Sequence, residues 1–169
     1  MLKVDLGLLK RRGRLEIEVD LPPDHPLWDG SGIKLRKPLA VRLEAQEVGD
    51  DVLVRGRVWG EAGLDCRRCL EPVTVPIDED VAWLFRAGLD PATAQDEDVY
   101  AIPPRARDLE LGPALREQLM LAVPMYAVCR AACRGLCPIC GTNLNESTCD
   151  CEASDSDDRW APLLGLKKD

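Results

Sequence analysis

Four close cysteine pairs constrain this chain more than any other feature of its sequence. Cys66/Cys69, Cys129/Cys133, Cys137/Cys140 and Cys149/Cys151 account for all eight of its cysteines. Cysteines separated by one to three residues make poor mutual disulfides, because the bridge geometry is hard to meet over so short a loop. The N-terminus lacks a secretory pattern. Its apolar stretch, Val4 to Leu9, is short, and apart from Lys3 its basic residues follow that stretch. A reducing compartment, the cytoplasm, is therefore expected, and there thiolate–metal bonding is the better reading.

Cys137-Pro138-Ile139-Cys140-Gly141 has the form of a zinc knuckle. Two intervening residues let both sulfurs face one ion at ~2.3 Å, and the glycine supplies a positive φ where the turn closes. Cys66-Arg67-Arg68-Cys69 has the same spacer without the glycine. Eight thiolates suit two tetrahedral Zn2+ sites. Chain order suggests Cys137, Cys140, Cys149 and Cys151 for one site, and Cys66, Cys69, Cys129 and Cys133 for the other. The second set would staple a β-region to the segment after a helix. A crossed arrangement, with the two CxxC turns facing each other as a zinc ribbon, is the rival that the sequence leaves open. Four sulfurs per ion leave no position for a catalytic water, so the zinc would be structural. The rival uses of these cysteines are a redox-switch zinc chaperone, an iron–sulfur cluster and a disulfide framework.

Elsewhere the pattern is that of an α+β fold. Leu15, Ile17 and Val19 alternate with Glu16, Glu18 and Asp20, the period of a half-buried strand. Leu39, Val41 and Leu43 repeat it, Gly49-Asp50 marks a turn, and Val52, Val54 and Val58 share a face, with Gly56 as a candidate bulge. Two further sets follow, Val73/Val75/Ile77 and Val81/Trp83/Phe85. Short strands and tight turns predict an antiparallel β-meander. A polar loop is expected over 86–98 and a short strand over 99–102. Leu111, Leu115, Leu119 and Ala122 then take helical spacing, with Pro113 in the first turn and Pro124 as terminator. This predicts one main helix packing the sheet. The expected divisions are an α+β domain over 1–128, a cysteine-rich metal-binding segment over 129–151, and an acidic and apolar tail over 152–169.

Charge bears on partners. Residues 1–60 carry eleven Lys and Arg against ten Asp and Glu, whereas 61–169 carry eleven against twenty. The formal net charge is −8, and two closed four-thiolate zinc centres would take it to about −12. Nonspecific phosphate binding scales with the cations that displace counterions, so any RNA contact must be local. Arg67, Arg68, Arg130 and Arg134 flank metal-ligand cysteines and are candidate RNA contacts. The alternative is that they are loop charges offsetting the thiolates. Lys10, Arg11, Arg12 and Arg14 form a second basic cluster. The single histidine, His25 in Asp24-His25-Pro26, reads as a solvated turn residue. With neither a Ser/His/Asp set nor a phosphate-binding Gly-Lys-Ser/Thr loop, the chain reads as no enzyme and as having no small-molecule substrate. No apolar run approaches the ~20 residues of a membrane helix, so no membrane partner is expected.

Several ordered blocks carry a resemblance. They are Cys66-Arg67-Arg68-Cys69-Leu70-Glu71-Pro72, Arg116-Glu117-Gln118-Leu119 through Ala122-Val123-Pro124, and Cys133-Arg134-Gly135-Leu136-Cys137-Pro138-Ile139-Cys140-Gly141-Thr142-Asn143-Leu144-Asn145 with Cys149-Asp150-Cys151. Asp158-Arg159-Trp160-Ala161-Pro162-Leu163 through Leu166-Lys167 closes the series. The sequence resembles the YceD family, the large ribosomal RNA subunit accumulation proteins of bacteria and plastids. The resemblance implies a non-enzymatic role in accumulating large-subunit (23S) ribosomal RNA in ribosome biogenesis, with ribosomal RNA or a ribosome-assembly protein as partner. A protein-binding adaptor with Trp160–Leu166 as its handle is the remaining reading.

Overall fold

The computed structural model describes residues 2–89 and 99–151. The chain enters through a short strand, β1 (Lys3–Asp5), and a helix, α1 (Leu6–Arg12). Nothing in the periodicity announces α1, since seven residues are too few to be stable alone. Its ends and one side chain hold it. The Asp5 carboxylate accepts the Leu8 N–H at 2.6 Å, and Gly13 donates its N–H to Leu9 O from the left-handed region. Leu9 is buried. Lys10, Arg11 and Arg12 fall in the last turn, where the helix dipole favours cations. The second basic cluster is thus in part a helix C-terminus, and Arg14 pairs with Glu44 at 3.2 Å.

Four strands follow in antiparallel order: β2 (Arg14–Leu21), β3 (Leu39–Val48), β4 (Asp51–Asp65) and β5 (Pro72–Ala87). The alternation predicts each of them, but not their lengths. Val73–Ile77 and Val81–Phe85 belong to one 16-residue strand rather than two short ones. Asp78 sits mid-strand on the outer face, where Arg57 of β4 grips it through two bonds of 2.6 Å. Gly56 is not a bulge, for the register runs unbroken through Leu43, Gly56 and Val81. The glycine is required by close approach: a β-carbon there would lie 2.1 Å from Arg42 O.

The sheet is mixed, which corrects the purely antiparallel expectation. β6 (Val99–Ile102) joins the edge parallel to β5, giving the order β2-β3-β4-β5-β6. A parallel neighbour needs a crossover, and periodicity cannot report direction. β7 (Asp108–Glu110) pairs antiparallel with β1 in a second, two-stranded sheet. α2 (Gly112–Ala122) is the predicted main helix, with Pro113 in its first turn and Pro124 beyond its end. The described residues thus hold two helices, not one.

One face of the large sheet forms the core. Val41 and Leu43, Val54 and Val58, and Val81, Trp83 and Phe85 project into it, and Leu115 and Leu119 of α2 close it together with Val4, Leu9 and Leu109. Trp28 completes this layer from a 3₁₀ turn at Pro26–Trp28. His25 is half-buried and caps that turn, its Nδ1 accepting the Leu27 N–H at 3.1 Å, so it is not the solvated loop residue expected. The polar loop expected over 86–98 falls mostly outside the described residues, as do the acidic run and Trp160–Leu166.

Candidate metal centres

The long β4–β5 hairpin closes through Cys66–Glu71. Cys66 N–H donates to Glu71 O at 2.8 Å and Leu70 N–H to Cys66 O at 2.9 Å. Residues 137–142 make the same two bonds, Cys137 N–H to Thr142 O at 2.8 Å and Gly141 N–H to Cys137 O at 2.9 Å. The two CxxC turns therefore share one backbone pattern. Gly141 takes the left-handed conformation the pattern needs, with φ 75°, and Leu70 takes it without being glycine, with φ 62°. The missing glycine after Cys69 does not break the turn. It places a strained leucine there, at a cost of about 1–2 kcal/mol.

Each CxxC turn meets a second cysteine pair. The sulfurs of Cys66, Cys69, Cys129 and Cys133 lie within 4.8 Å of one another, as do those of Cys137, Cys140, Cys149 and Cys151. The chain-order grouping is thus the geometry present, and the crossed arrangement of the two CxxC turns is not. In the first tetrad Cys66 and Cys133 sulfurs are 3.9 Å apart, and those of Cys69 and Cys129 are 3.6 Å apart. Four sulfurs at ~2.3 Å from one tetrahedral ion would be about 3.8 Å apart, whereas a disulfide requires ~2.05 Å. The donor set and spacing fit one ion per tetrad, so each tetrad could hold a metal. Cys66, Cys69 and Cys133 are buried and form a small second core with Val73 and Leu136. The second tetrad is more open, with Cys140 and Cys151 exposed.

Within each tetrad the sulfurs divide by electrostatics. Burial pushes the Cys66 thiol up, but N–H groups of Cys129, Arg68 and Cys69 outweigh it and hold Cys66 at about 6. At Cys69 the Glu71 N–H acts downward, yet burial and the crowding sulfurs push the thiol up to about 12. Burial also raises Cys133, which the Asn145 amide and the Gly135 N–H more than offset, and it raises Cys129 outright. In the second tetrad the Thr142 hydroxyl, 3.2 Å from Cys140 Sγ, and the Thr142 N–H bring Cys140 to about 6. The N–H groups of Cys140 and Ile139 lower Cys137. The Cys151 N–H acts downward on Cys149, but the Cys137 sulfur and burial win and raise it. The Cys140 sulfur, aided by burial, pushes Cys151 up to about 12. Nearby donors thus favour the thiolate at two sulfurs of each tetrad, while burial and the neighbouring sulfurs favour the protonated form at the other two. A divalent cation at the centre removes the conflict.

The tetrads are joined through Gly135-Leu136. Leu136 N–H donates to Arg68 O at 2.9 Å, and a β-carbon on Gly135 would lie 2.9 Å from the same oxygen. Asn145 is the residue whose role the sequence reading missed. Its Nδ2 lies 3.4 Å from Cys133 Sγ, while its Oδ1 accepts the Arg134 N–H and Arg130 Nη2, each at 2.9 Å. The Thr-Asn-Leu-Asn run beside a knuckle signals a local turn, not which sulfur an amide will reach. Each of the four arginines directly neighbours in sequence a cysteine of the first tetrad. Arg67 Nε donates to Met125 O at 2.9 Å and its guanidinium sits over the Tyr126 ring at 5.6 Å. Arg68 Nη1 donates to Cys133 O at 3.0 Å. All four are exposed, and among the described residues none forms an ion pair with a carboxylate.

Fold and site define a class: an α+β protein with a mixed sheet, whose β4–β5 hairpin is bound to its cysteine-rich segment through a sulfur tetrad able to hold a metal. Residues 54–167 match the model of the family described as large ribosomal RNA subunit accumulation protein YceD, and the chain belongs to that family. It is 30% identical over 109 residues to the chloroplastic large ribosomal RNA subunit accumulation protein YCED homolog 1 of Arabidopsis thaliana, covering 58% of this chain and 33% of that protein. The Zea mays protein of the same name is 26% identical over 168 residues, 83% of this chain and 57% of the relative. An uncharacterized protein of Mycobacterium tuberculosis is 33% identical over 131 residues, 76% and 61% of the two chains. The chain thus spans between a third and about three fifths of the length of these relatives. No solved structure matches it. No described helix is long and apolar enough to cross a membrane.

Proposed function

We propose that this chain is a non-enzymatic, cytoplasmic factor for accumulation of large-subunit (23S) ribosomal RNA, with a structural zinc ion in each tetrad. The observation that carries the zinc reading is the sulfur spacing of 3.6 and 3.9 Å in the first tetrad, against about 3.8 Å for a tetrahedral Zn–S4 centre. Bound zinc supplies cross-linking charge and no open coordination position. The rRNA role rests on family membership and on the names of the plant relatives. Its partner is ribosomal RNA or a ribosome-assembly protein. Exposed guanidiniums of Arg67, Arg68, Arg130 and Arg134 are the groups offered to RNA phosphates, which arginine contacts bidentately.

In cells lacking the gene, the ratio of large- to small-subunit rRNA should fall. It should recover with the wild-type gene and fail to recover with Cys66→Ser/Cys69→Ser. An unchanged ratio in the deletion refutes the role. Metal analysis of the purified protein should find two zinc ions per chain; none would refute the zinc reading. Changing all four arginines to Ala should weaken RNA binding and lower its salt slope, and unchanged values remove the RNA-contact idea. Exposed Cys140, held at about 6, favours the redox-switch reading as the alternative, which predicts zinc release with gain of holdase activity under peroxide.

A further inference from the structure

An apolar groove lies beside the first tetrad. It measures about 570 Å3, within the ~300–1,000 Å3 of built binding clefts. Ile33, Leu70, Met120, Val123 and Met125 line it, together with Arg67 and the carboxylate-bearing Asp65. Leu70 and Met125 are 64% and 73% exposed, and Leu70 borders the groove from a left-handed turn. Methionines at a cleft adapt to an incoming apolar segment.

Charge and reach identify the occupant. Arg67, Arg68, Arg130 and Arg134 are not paired with any described carboxylate, although the chain is acidic overall. Beyond the described residues the sequence runs Glu152, Asp155, Asp157 and Asp158, and then Trp160-Ala161-Pro162-Leu163-Leu164-Gly165-Leu166. Acids precede the apolar run in the order needed to cross the arginines and enter the groove. The distance is also within range. Cys151 Sγ is within 4.8 Å of Cys137 Sγ, Leu136 N–H bonds Arg68 O, and Arg67 lines the groove. That path puts Cys151 within about 25 Å of Arg67, and nine residues of extended chain reach about 30 Å.

We propose that Trp160–Leu166 docks in cis into the groove formed by Leu70, Met120 and Met125, with the acidic run 152–158 lying over the arginines around the first tetrad. The same arginines carry the RNA reading, but the docking does not depend on it. The test uses the full, zinc-loaded chain with p-benzoylphenylalanine replacing Leu163, irradiated at low concentration and mapped by mass spectrometry. Cross-links within one chain to Leu70, Met120 or Met125 are expected, with a yield unchanged by about tenfold dilution, since the contact is intramolecular. Met120→Asp/Met125→Asp alters two exposed side chains, so the thermal midpoint should hold while the yield falls about tenfold, as expected when charge enters an apolar contact. Asp155→Asn/Asp157→Asn/Asp158→Asn should also reduce the yield. Cross-links that vanish on dilution would assign the groove to a second copy. Cross-links elsewhere, or none, would assign the segment to a different surface or partner. Each of these results overturns the proposal, as does a yield indifferent to the Met→Asp pair.

Discussion

Gly135 and Gly141 offer an internally controlled test of how the two tetrads are coupled. Both sit at nearly the same positive φ, 76° and 75°, so each Gly→Ala change carries the same left-handed strain of about 1–2 kcal/mol, partly offset by a stiffer unfolded chain. Their surroundings differ. Nothing lies within 4 Å of a β-carbon on Gly141, whereas one on Gly135 would meet Arg68 O at 2.9 Å and Arg68 Cβ at 3.4 Å. That oxygen already accepts the Leu136 N–H, so it cannot retreat without breaking the link between the CxxC turns. Crowding of this kind adds about 1–3 kcal/mol. Gly141→Ala should therefore cost about 1 kcal/mol and Gly135→Ala about 2–4 kcal/mol. Thermal unfolding of the zinc-loaded protein reads the difference, at about 2–4 °C per kcal/mol for a chain of this size. Zinc transfer to a chelator adds a second readout: Gly141→Ala should loosen the second tetrad alone, and Gly135→Ala both. Midpoints within about 1 °C of each other would refute the backbone contact and the coupling built on it.

Loading metal should release protons in a countable way. At pH 7.5 Cys66 and Cys140, at about 6, are already thiolates, while Cys69 and Cys151, at about 12, and the raised Cys129 and Cys149 keep their protons. Filling both sites should therefore release at least about four protons per chain, so affinity falls as pH falls; calorimetry in buffers of different ionisation enthalpy counts them, and two or fewer would contradict the geometry. Leu115→Ala empties a fully buried site under α2 and should cost about 2–5 kcal/mol in denaturant unfolding, where a loss below about 1 kcal/mol would mean that α2 does not close the core. Asn145→Ala removes the amide near Cys133 and an acceptor of two N–H bonds. Metal release from the first tetrad should quicken about tenfold, the equivalent of about 1.4 kcal/mol, and an unchanged rate would remove Asn145 from the site.

Much of this molecule is local and could be read from the chain. Strand alternation has a period of two and α2 a period near 3.6, both properties of contiguous residues, so the alternating faces of β2 to β5 and the apolar face of α2 appear in the sequence, and β6 only as a short strand. The cysteine pairs are equally local, since an intervening one to three residues let neighbouring sulfurs face one ion. What failed to show depends on caps, burial and contacts that periodicity does not report. α1 exists because Asp5 and Gly13 cap it and Leu9 is buried. β6 runs parallel to β5, and side-chain alternation is identical in either direction. Gly56 resembles a bulge until Arg42 O is seen to occupy the place of its β-carbon.

The sequence by itself determined that eight cysteines come as four close pairs and that alternating strands dominate the first half. Only the tertiary structure decided which pairs share a centre. A cysteine pair brings two sulfurs, and the choice of the other two depends on which loops the sheet and α2 bring together: Cys66 and Cys69 at the closed end of the β4–β5 hairpin meet Cys129 and Cys133 beyond α2. It also decided that Leu70 would stand in for a glycine, because the hairpin and the tetrad together impose a left-handed turn that the local sequence disfavours.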